Sequence, residues 1–327
     1  MSLTAVILAA GRSTRMKSRR PKPLHEICGR PMLEYILRAC YEAGCTKVIV
    51  VVGYGKEEVM AAFADDNRIV WCEQAEQLGT GHAVKCALDE LTKLHGEVFI
   101  LAGDVPLIRG QVLKTLLKAH REERVVASMA TAILDDPTGY GRIIRDESGE
   151  FVRIVEHIDA TPQQREIKEV FPSYYCVRSE ELIWALGQLK NDNKKGEFYL
   201  TDIYEHIRKS GKRVLAVQAV TAEDVLAPNS RQDLANADMV MQDRIQRDHR
   251  DAGVSIVSPI NTYIEDGATI GADTTILPFS FIGRDASIGA ECTIGPFAIV
   301  PRNIVVREGT TVAGNVTPET ALLQVEP

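Results

Sequence analysis

The chain has 327 residues, 45% hydrophobic and 25% charged, proportions that place it with folded globular proteins rather than disordered chains. Its 38 Lys and Arg against 45 Asp and Glu leave a net charge of −7, which excludes a broad basic footprint for nucleic acid. No apolar run approaches the ~20 residues of a membrane span, the start has no signal-peptide pattern, and the 7 Cys form no CxxC pair, so reduced thiols in a cytoplasmic protein without a zinc site or membrane partner are expected.

Strand and helix signals alternate over the first part of the chain. Thr4–Ala10 is a β-branched and apolar run that ends at Gly11 and reads as a buried strand. Pro31–Ala43 has helical spacing, with Pro31 suited to a first turn and Gly44 to a stop. Lys47–Val52 reads as a second buried strand, Lys56–Phe63 as a helix, Ile69–Cys72 as a strand, Thr80–Leu94 as a helix and Glu97–Ala102 as a strand ending at Gly103-Asp104. This order predicts right-handed crossovers and a Rossmann-like α/β domain with a mostly parallel sheet. Ligands on such sheets sit beyond the carboxyl ends of the strands, where the Gly11 loop and Gly103-Asp104 both fall.

The polar stretch Asn229–Arg250 is helix-prone and ends at Ala252-Gly253. Behind it Ile264, Ile270, Ile276, Ile282, Ile288, Ile294, Val300, Val306 and Val312 recur every sixth residue, and small residues such as Ala268, Thr274, Ser280, Ala286, Cys292 and Ala298 follow four places later. Each hexad supplies one inward aliphatic, with the small residue expected at a tight corner. The pattern predicts a parallel β-helix of about three coils, too short to carry much core of its own. The resulting division is a domain over 1–228, a connecting helix over 229–252, and a short β-helix with a tail over 253–327.

The chemistry-bearing residues lie in the first part. Leu8-Ala9-Ala10-Gly11-Arg12-Ser13-Thr14-Arg15-Met16 is a strand running into a small-residue turn, which lets backbone N–H groups approach a phosphate or base. Arg15 and Lys22 add fixed positive charge, which triphosphate binding and pyrophosphate departure require. The loop lacks the GK[ST] of a Walker A motif and the GxGxxG of a dinucleotide site; a plain turn with solvated basic residues is the alternative. Gly79-Thr80-Gly81 opens a helix with free N–H groups. Gln74 offers a donor and an acceptor, suited to the edge of a pyrimidine. Thr80 as a simple helix cap is the alternative there, and His82 reads as a packing or capping residue. Asp104, just past a buried strand, can hold Mg²⁺ or cap a turn. Gly141 permits close backbone approach and Glu156 can accept from sugar hydroxyls. Gly196–Asp202 reads as a helix cap in preference to a wall of the site.

The ordered set LAAGRSTRM, PKPLHEICGRPML, EQLGTGHA, GDVPLI, DPTGYGRI, IVEHIDAT and GEFYLTDI, followed by hexapeptide repeats, resembles bacterial UDP-N-acetylglucosamine pyrophosphorylase. That activity is the nucleotidyltransferase half of the bifunctional uridyltransferase/glucosamine-1-phosphate acetyltransferase. The resemblance implies a cytoplasmic, Mg²⁺-dependent transfer from UTP to N-acetylglucosamine 1-phosphate by in-line attack, yielding pyrophosphate and a nucleotide sugar for cell-wall synthesis. It further implies that the Ala9, Ala10 and Gly11 backbone and Gln74 hold uracil with Gly79 and Thr80 beside them. Arg15 and Lys22 then bind the phosphates and transition state, Asp104 and Asn229 ligate the metal, and Gly141 and Glu156 contact the sugar.

The sequence departs from the family at Ser13, where Gly is common, at Ala102, where some members have Tyr, and at Glu169-Val170-Phe171-Pro172-Ser173. In that last segment Phe171 stands where the family has a sugar-binding Asn, with Tyr174 a candidate substitute. These departures keep a nucleotidyltransferase for another sugar 1-phosphate, or a non-catalytic oligomeric relative, as alternatives. The acetyltransferase half uses a His in later coils, and no His follows His249; that activity is expected to be absent, with the repeat serving as a trimerising stalk.

Overall fold

The computed structural model describes residues 2–12 and 14–315. Met1, Ser13 and the tail from 316 to 327 lie outside the described residues. The chain divides into two compact units, Met1–His25 with Met32–Ser230, and Glu26–Pro31 with Arg231–Pro327.

The first unit is built on a sheet of nine strands: β1 Ser2–Ala9, β2 Lys47–Val52, β3 Ile69–Glu73, β4 Gly96–Ala102, β5 Ala127–Ile133, β6 Gly141–Arg145, β7 Phe151–Val155, β8 Glu169–Arg178 and β9 Val214–Gln218. Its order is β9-β5-β8-β4-β1-β2-β3, with β6 paired to β8 and β7 to β6. The β4-β1-β2-β3 portion is parallel, while β8 runs antiparallel between β4 and β5.

The continuous apolar runs have a direct cause. Val48 and Val50 pack into the hydrophobic cluster on one face of the sheet, whereas Ile49 and Val51 pack into the cluster on the other. A strand covered on both faces has no position for polar alternation. The pairing aligns the strand ends: Ala9 stands opposite Val52, Val52 opposite Glu73, and Leu8 opposite Ala102. The carboxyl ends of four parallel strands therefore open at one level.

Two helix expectations need correction. The first helix is Met32–Glu42, and Pro31 belongs to a hairpin strand instead of the helix's first turn. The helix expected over Thr80–Leu94 is broken into Thr80–Lys85 and Leu88–Leu91. The second segment carries the apolar residue Leu91 inward at 0% exposure, so periodicity survives a break that it cannot reveal.

In the second unit, the helix Arg231–Asp251 is followed by two-residue strands that pair with the strand 18 residues onward, such as Tyr263 with Phe281 and Thr269 with Ser287. These form three parallel sheets, a short left-handed parallel β-helix. All nine hexad aliphatics from Ile264 to Val312 are buried. The small residues Thr274, Ser280, Ala286, Cys292 and Ala298 are also buried. The left-handed corners fall one place earlier, at Asp273, Phe279, Asp285, Glu291, Phe297 and Asn303, all at positive φ. The small residues thus make room for the coil interior instead of forming the corner.

The hairpin Glu26–Pro31, which the sequence places within 1–228, belongs to this second unit. Its two turn residues, Cys28 and Gly29, both have positive φ, as a two-residue hairpin loop of this hand requires. Cys28 N donates to Asp238 Oδ1 at 2.8 Å, and Arg30 reaches Asp266 and Asp285, each at 2.5 Å. These are contacts across more than two hundred residues of sequence, which local patterning cannot encode.

Candidate active site

A cavity of about 480 Å³ lies beyond the aligned strand ends. The β1 loop contributes Ala9, Ala10, Gly11, Arg12, Thr14 and Arg15, and Lys22 follows. The segment after β3 contributes Gln74, Gln77, Gly79 and Thr80, the end of β4 contributes Ala102, Gly103 and Asp104, and Asn229 joins from the end of the unit. The structure therefore brings together every expected nucleotide, phosphate and metal residue.

Close backbone approach fixes this geometry. Gly103 N donates to Leu8 O at 2.8 Å, and a Cβ on Gly103 would lie 2.7 Å from that same oxygen. Gly79 has φ +106°, and its Cβ would lie 2.7 Å from Phe198 O. Both positions need glycine. At Gly11, by contrast, a Cβ would meet nothing within 4 Å.

The charged end of the cavity is a compact network. Lys22 Nζ donates to Asp104 Oδ2 at 2.5 Å and to Asn229 Oδ1 at 2.9 Å. Arg15 Nη2 donates to the same Asn229 oxygen at 2.9 Å. Asn229 Nδ2 in turn donates to Ala227 O at 2.9 Å, which directs the amide oxygen toward the two cations. One carboxylate and one amide oxygen are thus gathered around a single positive centre. Such hard oxygens suit Mg²⁺, which takes few protein ligands and keeps waters and substrate phosphates. Among the described residues no group of three His, Cys, Asp or Glu could hold a metal, so an ion here would rely on the phosphates it accompanies.

The residues expected to hold the base are themselves held by amides. Gln74, 5% exposed, donates through Nε2 to Gly79 O at 3.1 Å and lies 3.1 Å from His82 Nδ1. Gln77, a residue that sequence reasoning missed, donates to Ala10 O at 2.8 Å and accepts from Arg12 N at 3.5 Å. It closes the β1 loop in the manner of a backbone turn, and an uncharged Gln in a polar stretch offers no signal for that role.

From Gly196–Asp202 only Glu197 lines the cavity; the segment leads into the helix Asp202–Lys209 with Thr201 at the N-cap position, and the expected side-chain cap is absent. Phe198 N donates to Leu78 O at 2.9 Å and Phe198 O accepts from Gly81 N at 2.8 Å. Thr201 donates to Glu156 Oε1 at 3.1 Å. Thr80 likewise accepts from Leu200 N at 3.0 Å, with Gly79 in the helix N-cap position.

The two expected sugar residues adjoin each other but not the cavity surface. A Cβ on Gly141 would lie 3.8 Å from both Glu156 carboxylate oxygens, yet neither residue lines the 480 Å³ cavity. Burial raises the Glu156 pKa above the usual carboxylate range, partly opposed by the Thr201 hydrogen bond. Burial also pushes neighbouring Asp202 up to about 6, with help from Glu205 and Glu156.

Phe171 stands opposite Gly141 in the β8–β6 pairing and is a core residue, 4% exposed. Its ring meets Tyr175 edge-on at 4.7 Å and Tyr204 at 6.1 Å. The β8 register shifts between Val170 and Tyr174, and Ser173 within that bulge has φ +68°. The bulge turns Ser173 and Tyr175 onto the cavity, a common device beside sites. Tyr174 is fully buried and donates to Asp224 O at 2.9 Å, so it is not the replacement for the missing Asn.

Comparison with known proteins places these features in context. Residues 5–193 match the MobA-like NTP transferase domain. The chain is 46% identical over 276 residues to the bifunctional protein GlmU of Caldanaerobacter subterraneus subsp. tengcongensis, covering 84% of this chain and 60% of that one. It is 42% identical over 312 residues to the bifunctional protein GlmU of Brevibacillus brevis, covering 95% and 67%. The chain therefore spans about three-fifths to two-thirds of these curated relatives, 60% and 67%. A crystal structure of a UDP-glucose pyrophosphorylase complexed with UDP-glucose shares the fold, with a TM-score of 0.62 at 20% identity, over 75% of this chain and all of that one.

Proposed function

The chain belongs to the MobA-like NTP transferase domain family and is a relative of the uridyltransferase part of the bifunctional GlmU proteins, and from that premise we propose that it makes UDP-N-acetylglucosamine from UTP and N-acetylglucosamine 1-phosphate. The observation that carries this reading is the convergence of Arg15, Lys22, Asp104 and Asn229 at one end of a cavity whose other end is lined by Gln74 and the Ala9–Gly11 backbone.

In this reading an ionised oxygen of the sugar phosphate attacks the α-phosphorus of UTP. The new P–O bond forms as the bond to the bridging oxygen of the β-phosphate breaks, and pyrophosphate departs with that electron pair. The nucleophile is already anionic, so no general base is required. Rate comes from holding donor and acceptor in line and from donors aimed at the charge that builds on the transferring and leaving groups. Lys22, with its side chain 10% exposed, and Arg15 supply those donors. Asp104 and Asn229 are the residues that would hold Mg²⁺, which when bound neutralises triphosphate charge. Glu156, beside Gly141, is the assigned acceptor for a sugar hydroxyl.

We further propose a cytoplasmic homotrimer associated through the β-helix, and no acetyl transfer by this chain. The apolar side chains Phe279, Phe297 and Ile299 are 55%, 66% and 47% exposed, which supports association there. Pyrophosphate release from UTP with Mg²⁺ and sugar 1-phosphates tests the reaction, and acetyl-CoA-dependent turnover would contradict the last point.

A further inference from the structure

The Gln74 amide has a fixed orientation, for a reason that does not depend on distinguishing its nitrogen from its oxygen. One of its terminal atoms lies 3.1 Å from Gly79 O. A carbonyl oxygen can only accept, so that atom is the nitrogen. The Gly79 carbonyl is itself held by Ala83 N at 3.1 Å in the first turn of the Thr80–Lys85 helix. The same Gln74 nitrogen lies 3.1 Å from His82 Nδ1. With one amide hydrogen on Gly79 O, the second points to Nδ1, which must then be an unprotonated acceptor. The His82 proton belongs on Nε2, which faces Cys86 Sγ at 4.0 Å one helical turn on. Burial keeps that thiol in its neutral form.

Both donor positions of Gln74 are therefore committed inside the protein. Its Oε1 receives no hydrogen bond among the described residues, and the side chain lines the cavity. We infer that His82 is a positioning residue that holds Gln74 as an acceptor toward the nucleotide base, so that the site selects a base carrying a ring N–H donor. This inference rests on the assignment of the cavity to a nucleotide, made above.

The choice of base follows from elementary chemistry. The imide N3–H of uracil is a donor that meets Oε1. The N3 of cytosine is a lone-pair acceptor at the same place, so two acceptors would confront each other there. A site built around a hydrogen bond rejects the analogue that cannot make it, because its own polar atom is left unpaired. His82 thus acts without touching the base: its unprotonated nitrogen takes the second amide hydrogen and reinforces the hold of the Gly79 carbonyl, so that the NH₂ does not turn into the cavity.

The test is equilibrium binding of UDP, CDP and N3-methyl-UDP to the full chain, with pyrophosphate release from UTP followed on the same samples. Wild type is expected to prefer UDP over both analogues by about 100-fold or more. His82→Leu removes the acceptor and narrows the UDP:CDP ratio by about tenfold, whereas His82→Asn, whose side-chain oxygen can accept at the Nδ1 position, retains most of it. Equal binding of UDP and N3-methyl-UDP by wild type overturns the inference without need of a variant. An unchanged UDP:CDP ratio in His82→Leu, or equal narrowing in both variants, overturns it as well. A base preference of the expected kind without pyrophosphate release upholds the inference and overturns the proposed reaction.

Discussion

Lys22 Nζ stands 2.5 Å from Asp104 Oδ2; Lys22 opens the short helical turn Lys22–Leu24 and Asp104 follows the end of β4, 82 positions apart in sequence. The pair places an ammonium and a carboxylate at one point, the two groups proposed above for phosphate and Mg²⁺, so neither charge is isolated before substrate arrives. Lys22→Met is expected to lower kcat by about 100- to 1,000-fold, the usual effect of removing one donor from developing charge. Asp104→Asn should raise the Mg²⁺ concentration needed for half-maximal rate. Steady-state kinetics across a Mg²⁺ titration measure both, and an unaltered Mg²⁺ dependence in Asp104→Asn would remove Asp104 from the metal site.

Two glycines separate folding from binding. A Cβ on Gly103 would press on the backbone oxygen of Leu8 at 2.7 Å, and backbone in a central strand cannot yield cheaply. Gly103→Ala is therefore expected to cost about 1–3 kcal/mol of stability. Gly11 has open space around its missing Cβ, so Gly11→Ala should leave stability within about 0.5 kcal/mol while weakening UTP binding. Urea denaturation paired with UTP titration tests the contrast; a stability loss at Gly11 equal to that at Gly103 would count against it.

Phe171 is a second discriminating position. Asn there would forfeit the ring contacts with Tyr175 and Tyr204 and bury an amide between them. Phe171→Asn is expected to destabilise the fold by about 3–5 kcal/mol without improving turnover of an acetamido sugar. A stable Phe171→Asn variant with improved turnover would show that the position belongs to the sugar site after all.

These residues also show what the sequence makes legible. The buried strands, the hexads and the loop carrying Gly11, Arg15 and Lys22 are local patterns, and local patterns can be read one residue after another. Asp104 and Asn229 were visible only as motif residues; that both reach Lys22 Nζ is a product of strand order. The bulge that presents Ser173, the docking of Phe198 against the Gly81 helix start, and the Gln77 bridge to Ala10 depend on segments far apart in sequence. No spacing rule encodes them. The hairpin at Cys28-Gly29 is hidden from local patterning for the same reason, since its partners Asp238 and Asp266 belong to the same unit but lie more than two hundred residues further along the chain.

On the β-helix, Phe279 and Phe297 stack at 5.1 Å with planes 6° apart, yet both remain more than half exposed. Large aromatics at two left-handed corners gain little in an isolated chain. Replacing both with Ser is expected to shift the proposed trimer toward monomer in sedimentation velocity, with unit folding retained by circular dichroism. A wild-type chain that sediments as a monomer at high concentration would end the trimer proposal.

The most direct measurement is pyrophosphate release with Mg²⁺ and UTP over a panel of sugar 1-phosphates. Turnover is expected, with N-acetylglucosamine 1-phosphate preferred over glucose 1-phosphate and over other amino sugars. Preference for another sugar would keep the phosphoryl chemistry of Lys22 and Arg15 and contradict the assigned product. No pyrophosphate from any sugar would contradict the reading of the cavity as a uridylyltransferase site.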